Sequence, residues 1–128
     1  MNQPVFYVAL AFAGGAGAVT RYWMVQASVK VGWTQLPFGT LFVNVAGSFL
    51  IGFLSLWMLH KTSLCEHAQL LVLTGCLGGF TTFSAFSIEV VKMLESAQFE
   101  RAFTYVTASL SLSILFCFAG FILAKRLI

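Results

Sequence analysis

Four long stretches without a charged side chain constrain the fold of this chain more than any other feature. They are Met1–Thr20, Val31–His60, His67–Ile88 and Ala102–Ala124. A helix needs about 20 mostly apolar residues to cross a bilayer, and 128 residues leave room for four such spans with short connections. The sequence therefore predicts one transmembrane domain over residues 1–128, with helices at Pro4–Val29, Phe38–His60, Ala68–Leu94 and Ala102–Lys125.

The composition excludes several classes of protein. Charged residues make up 9% of the chain and hydrophobic residues 59%, whereas soluble domains carry roughly 25% charged residues. So few charges cannot cover a surface in contact with water, and the net charge of +3 does not come from a basic patch. We therefore predict an all-α integral membrane protein whose surroundings are the lipid bilayer. A soluble enzyme, a disordered tail and a nucleic-acid-binding domain are excluded.

The cationic residues are divided evenly between the two predicted membrane faces. With four helices, both termini and the loop Lys61–His67 lie on one side, and the loop Glu95–Arg101 lies on the other. The first side carries Lys61, Lys125 and Arg126, and the second carries Lys30, Lys92 and Arg101. Orientation follows an excess of Lys and Arg on the cytoplasmic side, and this chain has none. We predict an antiparallel homodimer of dual topology; a weak bias from lipids or histidines is the alternative.

Helices 1 and 2 each place a polar side chain where lipid is expected. Arg21 follows the glycine-rich segment Gly14–Gly17, which allows a close helix approach. It either acts electrostatically at depth or extends to the headgroups. Asn44 belongs to a series of small and polar residues spaced by four on helix 2. Its amide either binds a neighbouring helix or donates to a passing anion.

Helix 3 contains the segment that is least compatible with a continuous helix. Gly78 and Gly79 precede the β-branched pair Thr81 and Thr82, and such residues are poor helix formers. We predict a break here, which frees carbonyls before the gap and N–H groups after it. The carbonyls can hold a cation, and the following half-helix favours an anion. Phe83 and Phe86 then share a face; they either present positive ring edges to an anion or serve as ordinary core residues.

Helix 4 carries hydroxyl groups along one face, at Tyr105, Ser109 and Ser113. Hydroxyls can bond to their own helix, so packing is the alternative to a polar path. Glu89 is the one acid expected near the hydrophobic region. No Ser, His and acid have a triad spacing, and no cluster has metal-ligand spacing. The sequence does not predict an enzyme.

Three segments together resemble the signatures of the Fluc (CrcB) family of fluoride channels. They are Gly14–Tyr22, Gly39–Phe49 and Gly78–Ser87. With the size and the number of spans, the resemblance covers the whole chain, and the Thr-Thr-Phe-Ser-x-Phe element is its most specific part. Ala85 departs from the family, since many members carry threonine there.

The resemblance implies a fluoride-selective channel with two pores in an antiparallel dimer, exporting cytoplasmic F⁻ passively across a bacterial cytoplasmic (inner) membrane. It implies a fluoride pathway formed by Asn44, Phe83, Phe86, Ser84, Thr40, Tyr105, Ser109, Ser113 and Glu89. A structural Na⁺ at the dimer centre is expected on the backbone carbonyls of Gly78 and Thr81. Arg21 is expected to have an electrostatic or structural role near a pore entrance.

Two other functions remain as alternatives. A proton-coupled transporter of the small multidrug-resistance type also has four helices and dual topology. Such coupling needs a carboxylate within the membrane, typically in helix 1, and helices 1 and 2 contain no acid. A structural subunit without transport activity would leave the helix 3 segment and the polar faces without a role.

Overall fold

The computed structural model describes residues 2–32, 35–61 and 66–128, and the elements formed by these residues are helices. Helix α1 spans Gln3–Lys30, α2 spans Phe38–Lys61 and α6 spans Phe99–Leu127. A third span runs from Glu66 to Glu95 in several pieces. Most of the predicted loop Lys61–His67, including Cys65, falls outside the described residues, as does the side chain of Lys61.

Each of these four spans is long and apolar enough to cross a membrane. Large apolar side chains point outward along them; Phe12 is 77% exposed, Phe103 74% and Ile114 70%. Water-soluble monomers rarely expose such contiguous apolar surfaces. The architecture is therefore that of a multi-pass membrane protein, as the sequence predicts.

The third span consists of four helical pieces and one extended segment. It comprises α3 (Glu66–Leu70), a π-helical segment (Leu71–Leu77), α4 (Gly78–Phe80) and α5 (Phe83–Glu95). Between α4 and α5 the backbone is extended, with ψ of 157° at Thr81 and φ of −152° at Thr82. Adjacent glycines followed by two β-branched residues lower the cost of leaving the helical conformation at this point.

Glycines bring α1 into backbone contact with the first half of the third span. A methyl group on Gly17 would overlap the carbonyl of Cys76, and one on Gly79 would overlap the carbonyl of Gly14. Small residues permit such close approach between membrane helices. Gly17 is the one buried residue of α1, so this helix is attached by a narrow strip.

Helices α2 and α6 form the central pair. Gly52 of α2 lies against the carbonyl of Cys117, and Gly120 of α6 lies against the carbonyl of Phe49. The fully buried side chains of the fold include Val43 on α2 and Tyr105 on α6. This close pairing holds the polar faces of α2 and α6 beside the second half of the third span.

The connection between α5 and α6 is shorter than the predicted loop Glu95–Arg101. It consists of Ser96–Gln98, because α5 ends in a Schellman turn. The N–H of Gln98 donates to the carbonyl of Met93, and the N–H of Ala97 donates to that of Leu94. Ala97 adopts a φ of 56°, the left-handed conformation that such a turn requires.

Candidate functional site

The extended segment of the third span is held by one side chain of α2. The Nδ2 of Asn44 donates to the carbonyl of Thr82 at 2.9 Å, and the N–H of Thr82 donates to Oδ1 of Asn44 at 2.7 Å. Because a backbone N–H can pair only with the amide oxygen, this bond determines the orientation of the amide. The contact is the helix-to-helix bond that we considered for Asn44, and it leaves one N–H of its Nδ2 for another partner.

The start of α5 is capped by the residue before it. The Oγ1 of Thr82 accepts from the N–H of Ala85 at 3.1 Å and lies 3.2 Å from Oγ of Ser84. A threonine at this position satisfies one of the N–H groups that the first helical turn leaves free. The cap shows why Ala85 contributes to this site through its backbone.

Arg21 reaches the other end of the interruption. Its Nε donates to the carbonyl of Gly79 at 3.2 Å, one of the carbonyls that lose their helical partner when α4 ends at Phe80. The guanidinium is half-buried. Arg21 therefore compensates a free carbonyl, and its positive charge lies beside the C-terminal end of α4.

A cavity of about 340 Å³ opens beside this interruption, between α2, α5 and α6. Its walls carry amide, hydroxyl and aromatic groups. They belong to Asn44, Ser48, Ile51, Thr81, Thr82, Phe83, Phe86, Ser109, Leu110 and Ser113. Six of these ten are predicted site residues: Asn44, Thr81, Phe83, Phe86, Ser109 and Ser113. The structure thus brings together side chains from three helices that are distant in sequence.

The two predicted aromatic residues contact each other but differ in exposure. The ring centroids of Phe83 and Phe86 are 5.4 Å apart with an interplanar angle of 48°. Phe86 is 7% exposed, whereas Phe83 is 71% exposed. Phe86 also contacts Tyr105, at 5.3 Å between centroids. The three rings form a row from the protein core to its surface.

Thr40, Glu89 and Tyr105 form a second cluster of predicted residues. Thr40 Oγ1 donates to one carboxylate oxygen of Glu89 and the phenol of Tyr105 donates to the other, both at 2.7 Å. Thr40 and Tyr105 are buried. Two hydroxyl donors stabilise a negative carboxylate where lipid and protein exclude water. Both hydroxyls are therefore engaged by Glu89.

Ser109 lies one helical turn from Tyr105 on α6 and one turn from Ser113. It is 5% exposed, and its Oγ makes no hydrogen bond of normal geometry within residues 2–32, 35–61 and 66–128, although the hydroxyl of Tyr105 lies close to it. Buried hydroxyls are normally paired. Ser109 lines the cavity, but its Oγ is itself inaccessible to solvent, so the hydroxyl has to turn to meet a ligand there.

Besides the cluster of Thr40, Glu89 and Tyr105, three more predicted residues lie outside the cavity wall. Ser84 is exposed beside Thr82, Arg21 is at Gly79, and Gly78 is exposed on α4. Sequence reasoning did not include Thr82 in the site, although a threonine directly before a helical run is a capping signal. Ser48, which follows Asn44 by four residues in the series on helix 2, also lines the cavity.

Comparison with known proteins identifies the family of this chain. A family profile described as CrcB-like protein, Camphor Resistance (CrcB), matches residues 8–121, which is most of the chain. The chain belongs to the CrcB family. Similar members are named fluoride-specific ion channel FluC. The protein of Rhizobium meliloti (strain 1021) is 43% identical over 127 residues, covering 95% of this chain and 98% of its own.

Two further CrcB relatives carry the same name. The protein of Caulobacter sp. (strain K31) is 42% identical over 120 residues, covering 92% of this chain and 94% of its own. The protein of Chelativorans sp. (strain BNC1) is 42% identical over 125 residues, covering 97% of this chain and all of its own. Because these relatives are ion channels, the CrcB family is not a family of enzymes.

Proposed function

We propose that this chain forms a fluoride-selective channel. The observation that carries the proposal is a cavity that Asn44, Phe83, Phe86, Ser109 and Ser113 line together, with amide, hydroxyl and aromatic groups on its walls. The names of the relatives support the same ion. Fluoride is strongly hydrated, so a pore must replace its water with donors along the path. The hydroxyl of Ser109 and the free N–H of Asn44 are such donors.

The walls of this cavity suit passage better than tight binding. They carry no cationic side chain, so an anion meets dipoles and not a full opposite charge. The edges of the Phe83 and Phe86 rings carry partial positive charge and interact weakly with a small anion. Conduction requires sites from which an ion can leave, and neutral donors beside ring edges meet that requirement.

Thr40, Tyr105 and Glu89 continue this path beyond the cavity, and the two hydroxyls would have to leave Glu89 to donate to an anion. Glu89 accepts from both, and the carboxylate places a negative charge beside the route. Ser109 and Ser113 continue the polar face of α6 in the other direction. Ser84 and Arg21 lie beside the interruption, where Arg21 supplies positive potential near a pore entrance.

The functional unit is an antiparallel dual-topology homodimer with two pores. The even division of cationic residues between the two membrane faces supports dual topology. Phe83 is largely exposed in the single chain although it lines the cavity. A second copy would cover this residue and complete the cavity wall.

A structural Na⁺ at the dimer centre would be held by the carbonyls of Gly78 and Thr81. The Gly78 carbonyl has no helical partner, since the N–H of Thr82 donates to Asn44. Gly78 is exposed, and oxygen atoms are the ligands that hard cations prefer. Within the described ranges, no three His, Cys, Asp or Glu side chains are placed to hold a metal. When bound, Na⁺ would supply positive potential and join the subunits.

The physiological role is passive export across a bacterial cytoplasmic (inner) membrane. Hydrogen fluoride crosses a bilayer as a neutral molecule and ionises in the less acidic cytoplasm. The trapped anion then leaves through the channel along its electrochemical gradient. A coupled multidrug transporter is not favoured, because α1 and α2 carry no acidic residue that could exchange protons within the membrane.

The test is ion release from liposomes that contain the purified protein. With a potassium ionophore setting the voltage, fluoride should leave and chloride should not. Phe83→Ile and Phe86→Ile should reduce fluoride release, and Phe103→Ile serves as the matched control because Phe103 is 74% exposed on α6 and does not line the cavity. Equal release of chloride, or no release of either ion, would overturn the proposal.

Dual topology has its own test. A cysteine is introduced into the α5–α6 turn, after replacement of Cys65, Cys76 and Cys117, and is labelled with a membrane-impermeant reagent in intact and opened cells. Half of the label should be accessible from each side. Labelling from one side alone would reject dual topology and leave the fluoride proposal standing.

A further inference from the structure

Two acceptors compete for the N–H of Thr82. In a continuous α-helix this group would donate to the carbonyl of Gly78, four residues earlier. It donates instead to Oδ1 of Asn44 at 2.7 Å, 38 residues away in sequence. The N–H of Thr81 still reaches the carbonyl of Leu77 at 3.0 Å. The Gly78 carbonyl is therefore the first to lose its helical partner, and it loses this partner to Asn44.

Close packing of α2 holds Asn44 in place. Asn44 follows the fully buried Val43 on α2, and one turn later Gly47 packs directly against the methyl group of Thr81. The second bond of the amide, from Nδ2 to the Thr82 carbonyl at 2.9 Å, fixes both polar groups of that residue at once. Since α2 pairs closely with α6, Thr82 is held extended by a rigid part of the fold.

The carbonyls freed at the end of α4 have different surroundings. That of Gly79 accepts from Arg21 at 3.2 Å. That of Gly78 has no such donor, and Gly78 is exposed with open space around its Cα: an added methyl group would approach nothing closer than the carbonyl of Leu73, at 3.8 Å. The Gly78 carbonyl thus remains available to a ligand from outside the chain.

We propose that Asn44 is a positioning residue for the cation site: by accepting the Thr82 N–H, it keeps the Gly78 carbonyl unpaired and free to bind Na⁺. The inference rests on the proposed Na⁺ site. Without Asn44, the Thr82 N–H would lose its acceptor, and an unpaired N–H within a membrane span is costly. It would return to Gly78 and close the helical turn, and this would withdraw the carbonyl from a cation.

The Asn44 side chain would then affect both the cation site and the anion path. Its oxygen accepts the Thr82 N–H that would otherwise pair with the Gly78 carbonyl, and the same side chain lines the cavity. Cation binding and the shape of the anion path are therefore coupled through a single side chain. Binding of Na⁺ would favour the extended Thr82, and with it the position of Phe83 at the start of α5.

The experiment measures thermal unfolding of the full-length protein in detergent, in NaCl and in N-methyl-D-glucamine chloride. A cation that binds the native state raises the midpoint, so the difference between the two salts reports the site without any flux measurement. Asn44→Ala removes both bonds to Thr82, and Asn44→Leu does so while retaining side-chain volume. Asn44→Asp, as a neutral acid, keeps one acceptor and one donor but has no further N–H. Ser55→Ala is the control, since Ser55 bonds to its own helix.

We expect the Na⁺-dependent shift to persist in wild type, Asn44→Asp and Ser55→Ala and to be lost in Asn44→Ala and Asn44→Leu. Each variant is compared with itself in the two salts, so a general loss of stability cancels. A shift that persists in Asn44→Ala or Asn44→Leu, is lost in Asn44→Asp, or is absent from wild type would overturn the inference. Fluoride release measured on the same preparations tests the proposed channel separately.

Discussion

Ser109→Ala should leave the stability of this protein unchanged or higher while it lowers the rate of fluoride release. Ser109 is 5% exposed, and its Oγ, which is inaccessible to solvent, makes no hydrogen bond of normal geometry among the described residues. A buried polar group without a partner costs about 1–3 kcal/mol. Alanine removes this cost and leaves a gap of one oxygen atom. We therefore expect the free energy of unfolding to stay level or to rise by up to about 2 kcal/mol.

Fluoride release should change in the opposite direction. A hydrogen bond to a charged partner contributes about 1.5–3 kcal/mol, and a barrier higher by that amount slows passage by about 10- to 150-fold. The same substitution would thus make the protein at least as stable and a much poorer channel. A residue that serves packing alone would show losses in both properties or in neither.

The assay combines thermal unfolding in detergent with ionophore-driven fluoride release from liposomes. Ser111→Ala is the matched control, because Ser111 lies on the same helix, is exposed and does not line the cavity. It should release fluoride at the wild-type rate. Wild-type release from Ser109→Ala would refute the reasoning, as would a parallel fall of its release and its unfolding midpoint.

Three further substitutions test the packing and the second cluster. Gly17→Ala places a methyl group against the Cys76 carbonyl and should lower the free energy of unfolding by about 1–3 kcal/mol. Gly15→Ala is the control, because the space around Gly15 is open and the methyl group should not destabilise the isolated subunit. Equal unfolding midpoints for the two variants would contradict the contact at Gly17. Ala97→Gly relieves a φ of 56° and should raise the free energy of unfolding by up to about 1 kcal/mol. A lower unfolding midpoint would argue against the Schellman turn. Tyr105→Phe removes a 2.7 Å hydrogen bond to Glu89 and should cost about 1–3 kcal/mol, so an unchanged denaturation profile would exclude a stabilising role for it.

No pattern in the sequence predicted the π-helical segment Leu71–Leu77. Its residues are apolar or small, and both α- and π-helices accommodate them. A π-helix costs hydrogen-bond geometry and persists where surrounding contacts favour it. Here Gly75 lies against Ala13 and Leu10 of α1, which are contacts that only the assembled helices provide.

The structure shows one of the two roles considered for Asn44, the bond to a neighbouring helix. Spacing placed this residue on a polar face of α2 but did not identify its partner. The observed bonds to Thr82 use one N–H and the amide oxygen, so Asn44 connects two spans and leaves one N–H for another partner. In the same way, Glu89 was recognisable as an acid near the membrane, but its pairing with Thr40 and Tyr105 was not predicted as a hydrogen-bonded cluster.

The sequence by itself determined that this protein lies in a lipid bilayer, how many spans it has and where residues of low helix propensity interrupt a span. These properties depend on local composition, because lipid selects about 20 apolar residues at a time and glycine or β-branched residues act on their own turn of helix. The tertiary structure decided which donor meets which acceptor. Asn44 and Thr82 are 38 residues apart, Thr40 and Glu89 49, and Arg21 and Gly79 58. Hydrogen bonds act over about 3 Å, so such pairs exist only once close-packed helices have set the distance between them.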